Sequence, residues 1–265
     1  MRYVYFTKLL KDLDVQALIA FCKEVGLDGV DLAVRPGYPV NPDNAVTALP
    51  DAMKAFADAG LTIGLVTADT GLNDAEGKTA KALFETCGKA GVAAIKIGYF
   101  PYKPPVEDAL KSARARLAGF AKLAEATKVK ACYHTHSGLY LGNNAASLRL
   151  MLQDLDPHYL GAFLDTGHTA INGGPFPMEM DLLRPWVTLL AIKDMLWAKD
   201  KGVWNSHVVP AGDGIVRWAE VGQAVKAAKF NGTVSLHGEY ETKDLAERKE
   251  LAKRELALMK KHLEI

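Results

Sequence analysis

The chain is predicted to fold as a (β/α)8 barrel on three observations. A helix–glycine–strand unit recurs along it, the strand-like runs are apolar on both faces, and its 265 residues suit eight such units. The unit is plainest early on. KEVGLDGVDLAV, ADAGLTIGLVT and GKAGVAAIKIGY each pass from an amphipathic segment through a glycine into a short apolar run. The glycines, Gly26, Gly60 and Gly91, are spaced 34 and then 31 residues apart. A glycine just past a helix supplies its left-handed cap. The runs that follow are too short for helices, and their apolar faces fit strands of a covered parallel sheet.

Taken in order, the first strand is Tyr3–Phe6, followed by a helix over 14–25. Val15, Leu18, Ile19, Cys22 and Val25 form one stripe of that helix, and Asp14 is its N-cap. Strands then follow at Gly29–Val34, Thr62–Thr67, Ala94–Tyr99, Lys130–Thr135, Gly161–Asp165, Thr188–Lys193 and Thr233–Glu239. The helices between and after them are 49–59, 75–90, 106–126, 144–154, 178–184, 218–229 and 243–263. Such alternation means a parallel sheet, and eight units favour closure over an open doubly wound sheet. The glycine-rich turn that a dinucleotide-binding open sheet places after its first strand is missing. No linker or low-complexity stretch divides the chain, so residues 1–265 are read as one domain.

Composition narrows the function classes. The formal net charge is +1 with basic residues spread along the chain, which is not the footprint of a nucleic-acid binder. No run approaches the length of a membrane span, and MRYVYFTKLLKDLD has no apolar leader core. Cys22, Cys87 and Cys132 stand far apart in apolar surroundings, the pattern of buried reduced thiols rather than a disulfide framework. A cytoplasmic location is the expectation.

In such a barrel the reactive residues belong at the C-terminal ends of the strands. The scattered polar residues fall there: Asp31 and Arg35 at strand two, Lys96 and Tyr99 at strand four, His134 and His136 at strand five. Strand six ends in Asp165 and His168, strand seven in Lys193 and Asp194, and strand eight in His237 and Glu239. Residues two apart share a strand face, so His134 pairs with His136 and His237 with Glu239. Imidazoles and carboxylates that face the barrel axis need partners or a metal. Together they suit a nitrogen- and oxygen-rich site for a divalent ion.

Taken singly, several have bland readings. A strand-end histidine is often only hydrogen-bonded, Asp165 before Gly167 can cap a turn, and Arg35 can lock a loop. His158 and His262 are expected at the surface. Trp186, Trp197, Trp204 and Trp218 gather around strand seven and the long segment after it, as core, lid or sugar-stacking residues. The segment from Met195 to Arg217 is a candidate lid.

GLDGVDLAVRPG, FLDTGHTAINGG, AIKDMLW and VVPAGDGIVRW resemble motifs of the xylose isomerase-like TIM barrel superfamily, the sugar phosphate isomerases and epimerases, over essentially the whole chain. The resemblance implies a divalent ion, often manganese, held by glutamate, aspartate, histidine and glutamate from strands five to eight. Asp165 matches the aspartate, His168 the substrate-binding histidine, and His136 the histidine two residues after the strand-five glutamate. The glutamate positions carry His134 and His237, and the strand-seven histidine is Ala191. A rearranged site of His134 or His136 with Asp165, His237 and Glu239 is one outcome, and its nitrogen content favours zinc or iron over magnesium. A metal-free site built on Lys193 and the histidines is the other.

The activity implied is isomerisation or epimerisation of a sugar or keto-sugar derivative through an enolate-type intermediate. Lys193, Glu239 and His136 are the catalytic candidates. His168, Arg35, Lys96, Asp194 and Trp197 are the substrate-binding candidates, Arg35 for hydroxyls or an anionic group. A dehydratase or lyase acting on a keto-polyol or keto-glycoside shares the proton abstraction. A non-catalytic sugar-binding barrel is the reading from outside enzymology. The expected partner is a small-molecule sugar, with no nucleic acid and no membrane, and the resemblance implies a homo-oligomer.

Overall fold

The computed structural model describes residues 1–264. Eight parallel strands close into a barrel: β1 (Arg2–Phe6), β2 (Gly29–Val34), β3 (Thr62–Ala68), β4 (Ala94–Lys96), β5 (Lys130–His134), β6 (Leu160–Asp165), β7 (Val187–Ile192) and β10 (Thr233–Leu236). Each pairs with its sequence neighbour, and β10 closes the ring between β7 and β1. The outer ring is α1 (Val15–Val25), α2 (Ala45–Asp58), α3 (Lys78–Ala90), α4 (Val106–Thr127), α5 (Ala145–Leu152), α7 (Phe176–Leu182), α8 (Trp218–Ala227) and α9 (Leu245–Leu263). Gly26, Gly60 and Gly91 all take positive φ, between 74 and 84°, so the recurring glycine does end each helix in a left-handed turn. Asp14 caps α1 by accepting from the Ala17 amide at 2.8 Å.

Three elements differ from the sequence reading. A six-residue helix, α6 (Thr166–Ile171), starts directly from β6 with Asp165 as its N-cap; it is too short for periodicity to reveal. The candidate lid is an antiparallel hairpin, β8 (Asp194–Asp200) against β9 (Val203–Val209). Helix α2 also begins four residues earlier than 49 and runs through Pro50. Proline leaves the Val46 carbonyl without its helical donor, and Val46 is exposed to water that can replace it.

The barrel interior follows from strand parity. Val4, Leu65, Ala94, Cys132, Phe163, Leu189 and Ala191 form one inward apolar cluster separate from the main core between strands and helices. Two residues on, the same face carries Phe6, Thr67, Lys96, His134, Asp165 and Lys193, joined by Asp31, Ser235 and His237. The apolar layer is thus a floor, and the polar layer above it sits at the mouth. Thr135 and His237 lie just past their strands but stay in place through single ladder bonds. Thr135 N donates to Phe163 O at 3.0 Å and His237 N to Ile192 O at 2.8 Å.

Helix α9 brings two buried charges to the outside of the barrel. Arg248 donates to the carbonyls of Gly238 and Tyr240 at 2.6 and 3.0 Å, tying down the chain after β10. Glu255 accepts from the Ala211 amide at 2.9 Å, and burial pushes its carboxyl up to about 7. The unfolded chain releases this proton near 4.5 and the folded chain near 7. The folded state therefore holds the extra proton, and stability falls as pH rises through that window, by on the order of 3 kcal/mol in all. We expect Glu255→Gln, which keeps the acceptor, to raise the thermal midpoint at pH 8 and leave it nearly unchanged at pH 4. Equal effects at both pH values would show that ionisation of Glu255 is not what costs stability.

Candidate active site

The polar layer forms a pocket at the barrel mouth with an empty volume of about 400 Å³ including its opening, lined by Lys8, Arg35, Lys96, His136, Lys193 and Glu239 among others. A larger cleft of about 840 Å³ lies between α6 and α8. It lacks a converging set of titratable groups, so the chemistry is placed at the mouth.

Lys193 is the centre of the pocket. Its backbone is fixed to the end of β6 by Thr166, whose hydroxyl accepts from Lys193 N at 3.0 Å and donates to Lys193 O at 2.7 Å. Its ammonium lies 2.7 Å from Glu239 Oε1, 3.9 Å from Asp165 Oδ2 and 3.2 Å from His168 Nε2. Burial opposes the charge on Lys193, but Glu239 and Asp165 outweigh it and raise its pKa. Burial also opposes the charge on Glu239. Lys193, His237 and Lys8 more than reverse that, holding Glu239 well below the usual carboxylate range.

The histidine tautomers follow from their partners. An ammonium only donates, so His168 Nε2 accepts from Lys193, and Nδ1–H donates to Ser137 Oγ at 2.8 Å. His136 Nδ1 meets the Ser137 carbonyl at 2.8 Å, so Nδ1 carries the proton and Nε2 is bare. Burial lowers the pKa of both rings, His168 most strongly. The two rings pack with centroids 3.9 Å apart. His134 is neutral for the same reason, with Nδ1 2.8 Å from the Tyr99 hydroxyl and Nε2 3.2 Å from Asp165 Oδ2.

Asp165 is pinned from the backbone: its Oδ1 accepts from His168 N at 2.8 Å and its own amide donates to Thr135 Oγ1 at 3.0 Å. Asp31 accepts from Thr67 Oγ1 at 2.5 Å and Ser235 Oγ at 2.9 Å. His237 lies 3.5 Å from Asp31 and 3.4 Å from Glu239, close enough for attraction but misaligned for hydrogen bonding. Burial alone would keep His237 neutral, yet those two carboxylates raise its pKa.

His134, Asp165 and His237 each offer a ligand atom, all within 4.8 Å of one another. Both nitrogens of His237 are buried without a hydrogen bond, an arrangement a metal would relieve. Tyr99 is placed to orient His134 from behind, as partners of metal-bound histidines do. These residues therefore fit a divalent ion in a two-histidine, one-carboxylate set that suits zinc or iron. Glu239 is outside that trio, because Lys8 and Lys193 both hold its carboxylate.

Two substrate-binding candidates are corrected. Asp194 is buried and accepts from the amides of Met195, Gly212, Gly214 and Val216 and from Trp218 Nε1, at 2.9 to 3.2 Å. It folds the segment between the hairpin and α8 and is saturated. Gly214 is required there, since a Cβ would stand 2.2 Å from Asp194 Oδ1. Trp197 stands 47 % exposed on the hairpin and does not line the pocket. His136, though two residues from His134, lies past the strand end and joins His168 instead of the His134, Asp165 and His237 trio. Lys8 and Ser137 were missed; nothing in their local sequence marks them, because Lys8 reaches the site from the one-turn 3-10 helix Thr7–Leu10 and Ser137 from a bend after β5.

A sequence profile described as xylose isomerase-like TIM barrel matches residues 19–262. No curated protein matches the chain in sequence. Among solved structures, the IolI protein with a bound zinc atom superposes with a TM-score of 0.81 at 18% identity, covering 100% of both chains. The 3-keto-D-glucoside 4-epimerase YcjR from E. coli gives 0.77 at 14% identity, covering 98% of this chain and 99% of that one. The probable 3-DHS dehydratase AsbF from Bacillus anthracis gives 0.73 at 17% identity over 98% of each.

Two outcomes test this geometry. Zinc or manganese titrated into chelator-treated protein should reach about one ion per chain, and Asp165→Ala or His237→Ala should remove that uptake. Failure of the intact protein to take up any divalent ion would leave Lys193 as the only cation at Asp165. Asp194→Ala should lower stability by about 3 kcal/mol or more and expose the hairpin to proteolysis. A variant as protease-resistant as the parent would mean the hairpin is held by its own pairing.

Proposed function

The chain belongs to the xylose isomerase-like TIM barrel family, and from that premise we propose that it is a sugar isomerase working on a keto-sugar or its aldose through an enolate. One observation carries the reading: a neutral imidazole with a bare Nε2, His136, shares the pocket with an ammonium, Lys193, held in place by Glu239 and Asp165. That pair is a base and an oxyanion donor. His136 Nε2 takes the proton from the carbon beside the carbonyl. The electron pair moves onto the carbonyl oxygen, where Lys193 Nζ–H donates to the developing charge. The hydroxyl proton of the neighbouring carbon passes to that oxygen, and the imidazolium returns its proton to the first carbonyl carbon, giving the isomeric carbonyl. His134, Asp165 and His237 would hold a divalent ion, which would supply Lewis-acid polarisation of the same oxygens.

One-base transfer favours isomerisation over epimerisation. Inverting a centre needs an acid on the opposite face, and Glu239 is locked by two lysines with its pKa depressed. The same locking supports a second reading, dehydration, in which the enolate expels a hydroxyl that Lys193 protonates. Solved structures of this fold described as a keto-glucoside epimerase and a probable dehydratase fit either chemistry. The three free, buried cysteines fit a cytoplasmic enzyme.

Incubation with a panel of ketoses and aldoses in D₂O, followed by proton NMR and mass spectrometry, tests the reading. We expect deuterium at the carbon beside the carbonyl and a product of unchanged skeleton. His136→Ala should lower kcat by about 10²-fold or more while substrate still binds. A product lighter by one water would replace isomerisation with dehydration. Binding without exchange at any carbon would sink the enzymatic reading altogether.

A further inference from the structure

Two cations in the pocket have no anion. Lys96 projects from β4 on the inward face, only 2 % exposed, and its Nζ has no hydrogen-bond partner. It sits 3.7 Å from the centre of the Tyr99 ring, a favourable face for a cation that leaves its N–H donors unused. Arg35, just past β2, has a buried Nε that is also unbonded, with its guanidinium 5.4 Å from the Phe6 ring. Both line the same pocket as His136 and Lys193.

The carboxylates of the site are already engaged. Asp31 serves Thr67 and Ser235, Asp165 serves His168 N and His134, and Glu239 serves Lys8 and Lys193. Asp69, at the end of β3, is turned to the Gly71 amide at 2.8 Å. Burying a cation without a hydrogen-bonded anion is costly, and burial together with Arg35 pushes Lys96 down to about 7. A group that arrives with the ligand would relieve both.

We propose that Lys96 and Arg35 form a subsite for a carboxylate carried by the substrate, so that the substrate class is a keto-sugar acid. This rests on the reading that the pocket takes a keto-polyol. A carboxylate has one oxygen for Lys96 Nζ and one for Arg35 Nε. A phosphate would ask for more donors, and neither a glycine-rich turn nor the start of a long helix converges on the pocket lining.

Calorimetric titration with probes that differ only in one terminal group tests this. D-fructose, D-fructuronate and D-fructose 6-phosphate form one set, and glycerol with D-glycerate the other. We expect fructuronate to bind roughly tenfold or more tightly than fructose. In Lys96→Met that ratio should fall to about one, and in Arg35→Gln it should shrink, with thermal midpoints confirming that both variants fold. Equal affinities across the set, or a preference that survives in Lys96→Met, would overturn the subsite. A phosphate ester preferred over fructuronate would overturn its assignment to a carboxylate. If no ketose binds while glycerate binds over glycerol through Lys96, the subsite stands and the sugar reading fails. If no anion binds, the subsite itself is gone.

Discussion

The site depends on one contact, the Lys193 ammonium held between Glu239 and Asp165. All three groups are taken out of water, and each would be costly to bury alone. Held together, they fix several other states. The ammonium sets the His168 tautomer, and through Ser137 the His168 ring is linked to the loop that carries His136. Glu239, claimed by two lysines, is removed as a strong base. The division of labour among these side chains follows from where one positive charge sits.

That charge is positioned by backbone rather than by its neighbours' side chains alone. Thr166 bonds both the amide and the carbonyl of Lys193, and Asp165, the residue before it, caps the short helix that presents His168. The strand-six end therefore places the carboxylate, the imidazole and the anchor for the lysine within four residues. Gly167 belongs to the same turn, because a Cβ there would meet the Lys193 carbonyl at 2.9 Å. A geometry fixed through main-chain bonds suits a site whose groups must hold still during proton transfer.

The barrel and the members of its polar mouth were legible in sequence because parity is enforced by the apolar floor. Once Val4, Cys132, Phe163 and Ala191 face inward, Phe6, His134, Asp165 and Lys193 must follow. What parity does not carry is the partner of each polar group. Asp194, next to Lys193, points away from the axis and is consumed by five donors of the following loop, a role set by loop geometry. Trp197 reads as a sugar-stacking residue only until β8 and β9 pair and carry it outward. Lys8 reaches the site from a one-turn 3-10 helix and Ser137 from a bend, segments too short to show a period. The helix at Thr166–Ile171 is one and a half turns held by its cap, below the length at which a hydrophobic stripe can form.

Charge at the mouth would couple a bound divalent ion to an anionic substrate. Lys8, Arg35 and Lys193 balance the charges of Asp31, Asp165 and Glu239, and Lys96, pushed down to about 7, and His237, pushed up by its two carboxylates, add positive charge when protonated. Where the related pattern has a strand-seven histidine, Ala191 is buried in the apolar floor and offers no ligand. A divalent ion on His134, Asp165 and His237 would add two positive charges and require His237 to stay deprotonated. Such an excess in a low-dielectric pocket is relieved by an anionic ligand more than by a neutral one. A bound metal and a carboxylate-bearing substrate would thus support each other electrostatically. Lys96 and Arg35, left without partners in the protein, are where that anionic group would meet the most unsatisfied positive charge.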